Sequence, residues 1–550
     1  MKRFFNDKND LVTEALDGFL LTTPGQDLAR LDGYPAIKVI LRAAPDKTRV
    51  ALVSGGGSGH EPAHAGFVGA GMLSAAVAGE VFASPSVEAV LAGILAVTGQ
   101  PGCLLIVKNY TGDRLNFGLA AERAKAMGHR VEMVLVADDV ALPDAHQPRG
   151  LAGTLFVHKI AGAMAETGAS LEDVARMARA VALDCRSIGL ALDTCTVPGN
   201  AAQKYLGMQE AELGLGIHGE PGARVISLDT AGALMVQVCT ALEKTLDLSQ
   251  PQAVILNNLG TVPPLEMSIL AHAFAATSLG RACKLVIGPA PLMTSLDMNG
   301  FSVSALPLDA ARSAFLGAMT SAPAWPGLCE LGGLRVVDMP KISETRRPAA
   351  SANPKVLAKI RAVCTALINN EAALNTLDAR IGDGDTGSTV AGAARHIHKA
   401  AESLPLGNPA DLCTCLSDIL ARQMGGSSGV LLAIFFAATG EALAKGGTMP
   451  AALQDGAGRV MEYGGAKPGD RTMLDALLPA IAELAGKGGM AGAAVAARNG
   501  ARSTALMQTS LAGRSSYVPK ENLKDVTDPG AEAMALSFEA LAPGQSATNQ

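Results

Sequence analysis

Three aspartates crowd into eight residues of the stretch TLDARIGDGDTGSTV. They are Asp378, Asp383 and Asp385. Carboxylates this close repel one another unless a cation lies between them. Short carboxylates that converge from a helix end and a loop suit a hard, oxygen-seeking ion such as Mg²⁺. We expect the preceding helix to end near Arg380 with Gly382 as its left-handed cap, which places Asp378 on the last helical turn.

An aspartate-rich turn without a metal is the alternative for these residues. In that case Asp385 or Ser388 would cap the helix that follows. An EF-hand is excluded, because the twelfth position counted from Asp383 is Ala394 and not glutamate.

Glycine-rich loops recur in the same part of the chain, and they favour a metal site over an aspartate-rich turn without a metal. They are MGGSSG (424–429), YGGAKPGDRTMLDAL (463–477), AGRSSY (512–517) and DPGAEAM (528–534). Backbone N–H groups and hydroxyls in such loops can hold phosphate at a helix N-terminus. Each loop alone is typical of a plain helix connection. Together with three aspartates they predict a nucleotide–Mg²⁺ site, although no GxxxxGK[ST] sequence is present and an ordinary P-loop is excluded.

Three further loops, in the first part of the chain, bring two histidines and an aspartate to strand ends. The loops are SGGGSGH (54–60), VKNYTGDRLNF (107–117) and GLGIHGEPG (214–222), and they carry His60, Asp113 and His218. The first loop fails the GxGxxG dinucleotide pattern because the last glycine position falls on His60. His64 follows His60 at metal-pair spacing, but no third ligand is in view. We expect a small polar substrate to bind in a His–Asp–His pocket.

The elements that position these loops divide the chain into two halves. In the first, apolar runs at 50–54, 103–109, 131–139, 253–260 and 284–290 alternate with helical patterns such as 117–128. This alternation predicts an α/β domain with substantially parallel sheet and a helix after SGGGSGH. After 354 the pattern is helical, at 356–374, 410–424, 430–443, 474–487 and 531–542, and predicts an all-α domain. We expect domains at 1–335 and 355–550, joined by a proline-containing linker at 336–354.

Composition narrows the class of protein. A net charge of −6 and the lack of basic clusters with aromatic residues argue against nucleic acid as a partner. Nine scattered cysteines without zinc or redox spacing indicate a reducing compartment. We expect no signal peptide in MKRFFNDKND, and the best apolar run, 430–438, is about half of what a bilayer needs. The expected location is cytoplasmic.

These motifs closely resemble the single-chain, ATP-dependent dihydroxyacetone kinases. SGGGSGHEPAH, VKNYTGDRLNFGLA, GIHGEPGA, NNLG and SLDMNGFS resemble the substrate domain of that family, and LDARIGDGDTGST, MGGSSGV, YGGAKPGDRTM, AGRSSY and DPGA its nucleotide domain. The match covers nearly the whole chain in the family's order. It implies an N-terminal α/β substrate domain, itself two α/β subdomains, and a C-terminal all-α helical-barrel nucleotide domain.

The resemblance also implies roles for individual residues. His218 would bond covalently to the substrate carbonyl as a hemiaminal, Asp113 would act as general base, and His60 would hydrogen-bond the substrate. The other substrate-binding residues would be Gly56, Gly57, Ser58, Gly59 and Lys108. Two Mg²⁺ ions would be held by Asp378, Asp383 and Asp385. ATP would be bound by Ser388, Thr389, Gly425, Gly426, Ser427, Ser428, Gly429, Arg471, Thr472, Asp528, Pro529 and Gly530.

Several alternatives stay open at this point. The principal substrate could be erythrulose or glyceraldehyde instead of dihydroxyacetone, and related substrate domains can act as non-catalytic sensors of ketose. Flavin nucleotide cyclisation is a side activity in part of the family. Thr386 stands where relatives linked to a phosphotransferase system carry histidine, which fits exchange of ATP. The resemblance further favours a homodimer in which the substrate domain of one chain serves the nucleotide domain of the other.

Overall fold

A computed structural model describes residues 4–143, 145–200, 206–340, 348–511, 516 and 518–542. The chain divides into two compact units, residues 1–336 and 337–550. The expected linker, 336–354, begins at this division, and its residues 341–347 lie outside the described part.

The first unit contains two sheets, of which the N-terminal one has six strands within the described residues. They are β1 (Leu28–Arg30), β2 (Lys38–Arg42), β3 (Ala51–Ser58), β4 (Ala75–Val81), β5 (Cys103–Lys108) and β6 (Val131–Val136), in the order β1-β2-β4-β3-β5-β6. Strands β4, β3, β5 and β6 pair in parallel. Strand β2 pairs antiparallel with β4 on one side and with β1 on the other. The accompanying helices are α1 (Leu11–Thr22), α2 (Val87–Val97), α3 (Thr111–Ala126), α4 (Thr154–Glu166) and α5 (Leu171–Asp184). Every residue of β5 is buried, as a continuous apolar run predicts for a strand covered on both faces.

The second sheet of this unit has seven strands among the described residues. They are β7 (Arg186–Ala191), β8 (Glu210–Leu213), β9 (Arg224–Ser227), β10 (Gln252–Asn258), β11 (Cys283–Ala290), β12 (Gly300–Pro307) and β13 (Cys329–Glu330), in the order β13-β11-β10-β12-β7-β8-β9. Its helices are α6 (Ala231–Glu243), α7 (Pro264–Ala275), α8 (Ser278–Ala282) and α9 (Ala310–Gly317). Among the described strands of this second sheet, β10 and β11 form the only parallel pair, and all other neighbours pair antiparallel.

The five predicted strands are all present, and the α/β class with two subdomains is confirmed. The expectation of mostly parallel pairing is correct for the first sheet and wrong for the second, because β12 returns antiparallel between β10 and β7. The predicted helix at 117–128 begins earlier, at Thr111, so Asp113 lies in its first turn and not in a loop. No α-helix follows SGGGSGH. Its glycines continue strand β3, and only a short 3-10 turn forms at Ala65–Phe67.

The second unit is helical throughout its described residues. Its helices are α10 (Pro354–Asn369), α11 (Glu371–Asp378), α12 (Thr386–Ala400), α13 (Pro409–Gln423), α14 (Gly426–Ala444), α15 (Met449–Gly464), α16 (Leu474–Ala485), α17 (Gly489–Thr504), α18 (Lys520–Leu523) and α19 (Pro529–Leu541). Each long helix from α12 to α17 packs against the next, and α19 packs against both α17 and α10. Since α10 also packs against α12, the ring closes, and the predicted helical barrel is confirmed.

The helix expected after Asp385 or Ser388 is α12. Helices α15 and α17 were not predicted, because their sequences are rich in glycine and alanine and carry few large apolar residues. The segment expected as one helix at 356–374 is two, α10 and α11, which meet at Asn370. Helix α14 is, by length and composition, apolar enough to cross a membrane. Within the protein, 28% of its 18-residue apolar stretch is buried. It is longer than the apolar run seen in the sequence, and it packs between α13 and α15 in the ring.

A buried carboxylate joins the two sheets of the first unit. Asp138, just after β6, accepts hydrogen bonds from the amides of Leu151 (2.7 Å) and Gly153 (2.9 Å) and from the hydroxyl of Ser187 on β7. The Ser187 amide also donates to the Asp138 carbonyl oxygen, 2.7 Å away. Burial raises the pKa of Asp138, and its three donors offset that cost. The contact therefore fixes where the chain passes from one sheet to the other.

Replacing Asp138 by alanine should destabilise the first unit by about 2–4 kcal/mol, because several buried donors lose their acceptor. Trp325 is the only tryptophan of the chain and packs against the core of this unit, so its fluorescence reports unfolding of this unit in urea. The exposed Asp32→Ala is the control and should change stability by less than about 0.5 kcal/mol. Equal midpoints for the two variants would show that Asp138 does not hold the sheets together.

Candidate active site

His218 lies in a tight turn between β8 and β9 that folds a carboxylate onto its own imidazole. Glu220 accepts a hydrogen bond from Nδ1 of His218 (2.9 Å) through Oε1, and from the backbone amide of His218 (2.9 Å) through Oε2. A side chain at Gly216 would collide with the Glu220 carboxylate, since an added Cβ would lie 2.1 Å from Oε2. Gly219 adopts φ +80°, which closes the turn. The turn thus directs Nε2 of His218 away from Glu220.

Nε2 of His218 faces Nε2 of His60 at 3.1 Å. His60 is completely buried, and its Nδ1 lies 2.8 Å from the carbonyl oxygen of Thr294. Burial, together with the charge of Lys108, holds the pKa of His60 well below its usual value. Phe82 stacks on His60 and meets the His218 ring edge-on, and Tyr110 meets His218 edge-on from another side. Aromatic walls thus surround the two imidazoles.

Asp113 and Lys108 form a second buried group beside the histidines. The exposed fractions of these residues are 4% and 1%, respectively. Oδ1 of Asp113 accepts a hydrogen bond from Ser84 at 2.5 Å. Burial raises the pKa of Asp113, although the charge of Lys108 and the Ser84 hydroxyl oppose that shift, and burial lowers the pKa of Lys108. A carboxylate with a raised pKa is a stronger base than an ordinary aspartate, which suits it to accept a proton.

The glycine run of β3 lets the backbone approach these groups. An added Cβ on Gly56 would lie 3.3 Å from Oδ2 of Asp113, so this glycine borders the Asp113–Lys108 group. Gly57 and Gly59 leave no room for a side chain against Phe82. The Ser58 hydroxyl donates to the Gly79 carbonyl oxygen (2.8 Å), which makes its side chain structural. Gly56 thus lies beside Asp113 and Lys108, while Gly57 and Gly59 lie against Phe82, which stacks on His60.

Sequence reasoning missed the groups that hold these residues in place. Arg149 donates to the carbonyl oxygens of Gly214 (2.7 Å) and Pro221 (3.4 Å), so it clamps both ends of the His218 turn, and it pairs with the buried carboxylate of Asp139 (2.6 Å). Glu220 was missed as well. The sequence did contain a signal for Glu220, because it is an acidic residue two positions after an isolated histidine. No pattern in the sequence pointed to Arg149, Phe82 or Ser84.

The three aspartates of the second unit form one cluster. Each offers a carboxylate oxygen, and these oxygens all lie within 4.8 Å of one another. Oδ2 of Asp378 accepts from the amides of Asp385 (3.0 Å) and Thr386 (3.1 Å), so Asp378 caps α12 from outside that helix. Asp385 is the N-cap residue of α12, but its side chain makes no capping hydrogen bond, and Ser388 lies within the first turn of the helix. Three oxygen donors at this spacing fit a hard divalent cation such as Mg²⁺.

The turn that carries this cluster differs from the expected one at its glycines. The left-handed residue is Gly384, with φ +80°, and not Gly382. The reason is that the Gly382 amide closes the last turn of α11 on the Asp378 carbonyl oxygen, at 2.6 Å. An added Cβ on Gly382 would also lie 2.5 Å from Oδ1 of Asp378. Asp378 is at the end of α11, as predicted.

The helix N-termini that were expected to bind phosphate begin at or near the predicted loops. Ser388 and Thr389 lie in the first turn of α12, and the amide nitrogen and hydroxyl of Ser388 are both tied to Asn375. The residues of 425–429 start α14, with Gly425 as its N-cap. Helix N-termini attract anions.

The remaining predicted nucleotide residues lie where α16 and α19 begin. Asp528 caps α19 by accepting from the Ala531 amide (2.8 Å), and burial raises the pKa of Asp528 to about 6. Pro529 and Gly530 form the first turn of α19, and Gly530 borders Met473. The Thr472 amide donates to Asp475 (2.8 Å).

Arg471 was expected to form a wall of the nucleotide site, but its side chain lies elsewhere. It is fully buried, and it donates to the carbonyl oxygens of Thr504 (3.2 Å) and Val526 (2.6 Å). Its side chain thus points inward and ties the end of α17 to the chain before α19. In AGRSSY, residues 512–515 and 517 lie outside the described part of the chain.

Comparisons with known proteins identify two family domains in this chain. The Dak1 domain model matches residues 22–324 and the DAK2 domain model matches residues 380–543. The dihydroxyacetone kinase of Citrobacter freundii is 46% identical, over 98% of this chain and 99% of that protein. The human protein named triokinase/FMN cyclase is 39% identical, over 98% of both chains. The crystal structure of the C. freundii kinase in complex with AMP-PNP and Mg²⁺ superimposes with a TM-score of 0.80 at 44% identity, covering 98% of this chain and 99% of that one.

Kinase relatives that match over almost their whole length show that the chain is a phosphotransferase with an alcohol group as acceptor. The chain belongs to the dihydroxyacetone kinase family, in its form with both domains on one chain.

The packing of α12 against α11 predicts different results for two glycine substitutions in α12. Gly387→Ala would place a Cβ 2.1 Å from the Glu371 carbonyl oxygen, whereas Gly392 has open space around it. We expect Gly387→Ala to destabilise the helical unit by about 1–3 kcal/mol. Gly392→Ala should be neutral or stabilise it by up to about 1 kcal/mol. Thermal unfolding followed by circular dichroism at 222 nm measures both, and equal melting temperatures would contradict the close packing of the aspartate turn.

Proposed function

We propose that this kinase transfers the γ-phosphate of ATP to dihydroxyacetone, with the substrate carbonyl held covalently by His218. The observation that carries this proposal is the orientation of His218, whose Nε2 faces a pocket shared with Asp113 while Nδ1 is bound to Glu220. The names of the relatives support the substrate class, since one is a dihydroxyacetone kinase and another a triokinase.

Covalent capture explains how so small a substrate is oriented. A three-carbon ketone offers few atoms for binding contacts, so contacts alone supply little orientation. An imidazole nitrogen can add to a carbonyl carbon and form a hemiaminal, which fixes the molecule at one point. Glycerol has no carbonyl and cannot be held in this way. The aromatic walls of Phe82 and Tyr110 then confine the captured molecule beside His60.

Asp113 is the proposed general base for the hydroxyl that attacks phosphorus. Its raised pKa brings its basicity closer to neutral pH, and a positioned base contributes roughly 10²–10⁴ in rate. Ser84 holds its carboxylate in place. Lys108, buried beside it, supplies a positive charge near the substrate oxygens. His60 hydrogen-bonds the captured substrate.

On the nucleotide side, Asp378, Asp383 and Asp385 would hold two Mg²⁺ ions, as the resemblance implies. Bound Mg²⁺ would neutralise the phosphate charge that develops during transfer. The chain supplies the rest of the phosphate site through helix N-termini, at residues 388–389 and 425–429 and at 528–530. Thr472 and Arg471 support the start of α16. Phosphoryl transfer depends mainly on such positioning and charge neutralisation, so no P-loop lysine is required.

Two other functions are kept as alternatives. A related short ketose or aldose, such as erythrulose or glyceraldehyde, could be the principal substrate, and the name triokinase of the human relative favours the latter. A non-catalytic ketose sensor is disfavoured, because both histidines, Asp113 and the three metal-site aspartates are all present. A cytoplasmic location stays a prediction from the sequence.

The covalent mechanism predicts which substrates His218 selects. We expect dihydroxyacetone to have the highest kcat/KM among dihydroxyacetone, L- and D-erythrulose, D-glyceraldehyde and glycerol, with glycerol at least about a hundredfold lower. His218→Ala should lose this discrimination against glycerol, since it removes the group that requires a carbonyl. His272→Ala, on the exposed surface of α7, is the matched control and should behave as wild type.

Each result of this assay has a distinct meaning. A tetrulose that is preferred by an order of magnitude would keep the chemistry and change the substrate. No turnover of any of the five compounds would favour the sensor.

We also propose a crossed homodimer, in which the substrate unit of one chain serves the nucleotide unit of the other. Asp113→Asn and Asp383→Asn should each be inactive toward dihydroxyacetone on its own. Co-expressed with different tags and purified as the mixed dimer, they should recover up to about half of the wild-type activity, because one of the two crossed sites is intact. An inactive mixed dimer would mean that each chain completes its own site, and a monomer in sedimentation would exclude the dimer.

A further inference from the structure

Phe82 has a backbone conformation that a bulky residue rarely adopts. It follows β4 directly and has a φ of +56°, in the left-handed region. A large side chain is disfavoured there, because its Cβ crowds the neighbouring backbone. Strain of this kind persists only where the surrounding structure enforces it, and it is concentrated at functional sites. The position of the Phe82 ring is therefore maintained at a cost.

The glycine run of β3 enforces this conformation. The Phe82 amide donates to the Ser58 carbonyl oxygen (2.9 Å), which holds the turn after β4 against the end of β3. A Cβ added to Gly57 would lie 2.9 Å from the Cα of Phe82, and one added to Gly59 would lie 2.8 Å from Cε1 of its ring. The two glycines thus leave space that the backbone and the ring of Phe82 occupy.

The Phe82 ring forms a corner with the two histidines of the pocket. It stacks on His60 with a centroid distance of 5.2 Å and an angle of 24° between the planes, and it meets His218 at 5.0 Å and 82°. The centroids of His60 and His218 are 4.9 Å apart, so the three rings form a nearly equilateral triangle. Since Phe82 is partly exposed whereas His60 is buried, Phe82 closes the open side of this triangle.

The turn that carries Phe82 also positions the proposed base. Ser84, two residues further on, donates its hydroxyl to Asp113 at 2.5 Å. A ketone carbon has two substituents, and only the one that carries the reacting hydroxyl has to reach Asp113. The other substituent must fit into the space that remains beside His218, where Phe82 is a wall.

We infer that Phe82 determines the chain length of the substrate, because its ring fills the space that the unphosphorylated substituent of a longer ketose would need. This inference rests on the proposed function, since it names the substrate class of the same pocket. The left-handed backbone is the means of placing the ring, because φ decides in which direction Cβ leaves the turn. A three-carbon ketose fits beside the ring, and a four-carbon ketose meets it.

Two variants that open this corner test the inference. Dissociation constants for dihydroxyacetone and L-erythrulose are measured without nucleotide, by saturation-transfer NMR titration. In Phe82→Ala and Phe82→Gly the ratio of the two constants should shift toward L-erythrulose by about tenfold or more, the usual effect of one carbon in an apolar pocket. An unchanged ratio would overturn the inference, and so would a wild type that binds L-erythrulose more tightly than dihydroxyacetone.

The same two variants test the backbone strain. Phe82→Gly should melt at a higher temperature than Phe82→Ala, because glycine adopts a positive φ freely while alanine keeps the strain. The fluorescence of Trp325 follows the unfolding of this unit. The reverse order would show that the turn does not impose the left-handed conformation. Phe82→Gly also preserves the binding test if the alanine variant does not fold.

A control and a mass measurement separate this inference from the proposed function. Leu183→Ala removes a side chain that is 73% exposed at the end of α5, and it should change the ratio of constants less than about twofold. Native mass spectrometry detects the covalent adduct with dihydroxyacetone. A wild type that binds dihydroxyacetone without an adduct would refute covalent capture, and the ratio would still decide the role of Phe82. A wild type that binds neither ketose would overturn both.

Discussion

The contact between Glu220 and His218 is the constraint around which the substrate pocket is built. An imidazole has two nitrogens, and binding one of them to a fixed carboxylate decides what the other can do. The turn achieves this over three residues, and only glycine at 216 leaves room for the folded-back carboxylate. Everything else in the pocket addresses the free nitrogen: His60 opposite it, the aromatic rings beside it, and the buried Asp113–Lys108 group next to it.

The two units solve different electrostatic problems. The α/β unit places charged groups in a dry pocket, where desolvation shifts their pKa values toward neutrality and makes them reactive. The helical unit keeps Asp383 and Asp385 exposed and close together, where a cation would relieve their repulsion. The N-terminus of α12, which begins next to Asp385, favours the phosphates that such a cation would bring. The residues proposed to act on the acceptor and those proposed to bind the nucleotide thus belong to separate cores.

The supporting residues are as specific as the reactive ones. Arg149 clamps both ends of the His218 turn, Asp138 joins the two sheets, and Asp378 caps the helix that follows the metal-site turn. Arg471 is a supporting residue of the same kind. It was expected to contact the nucleotide, but its side chain holds the end of α17 to the chain before α19. Buried, directional contacts of this kind hold neighbouring side chains in one orientation.

The sequence alone determined the two-domain organisation, the strands of both sheets that are continuous apolar runs, and the motifs that carry His60, Asp113, His218 and the three aspartates. These features are local: a glycine run, a strand or a carboxylate cluster is recognised within about ten residues. It did not determine the antiparallel return of β12, the helices α15 and α17, the left-handed Gly384, or the inward turn of Arg471. Those depend on which surface a segment packs against, and the partners of Glu220, Arg149 and Asp138 come together only when the chain is folded. Only the tertiary structure decided which nitrogen of His218 is free, because that choice depends on distances between side chains that no spacing in the sequence encodes.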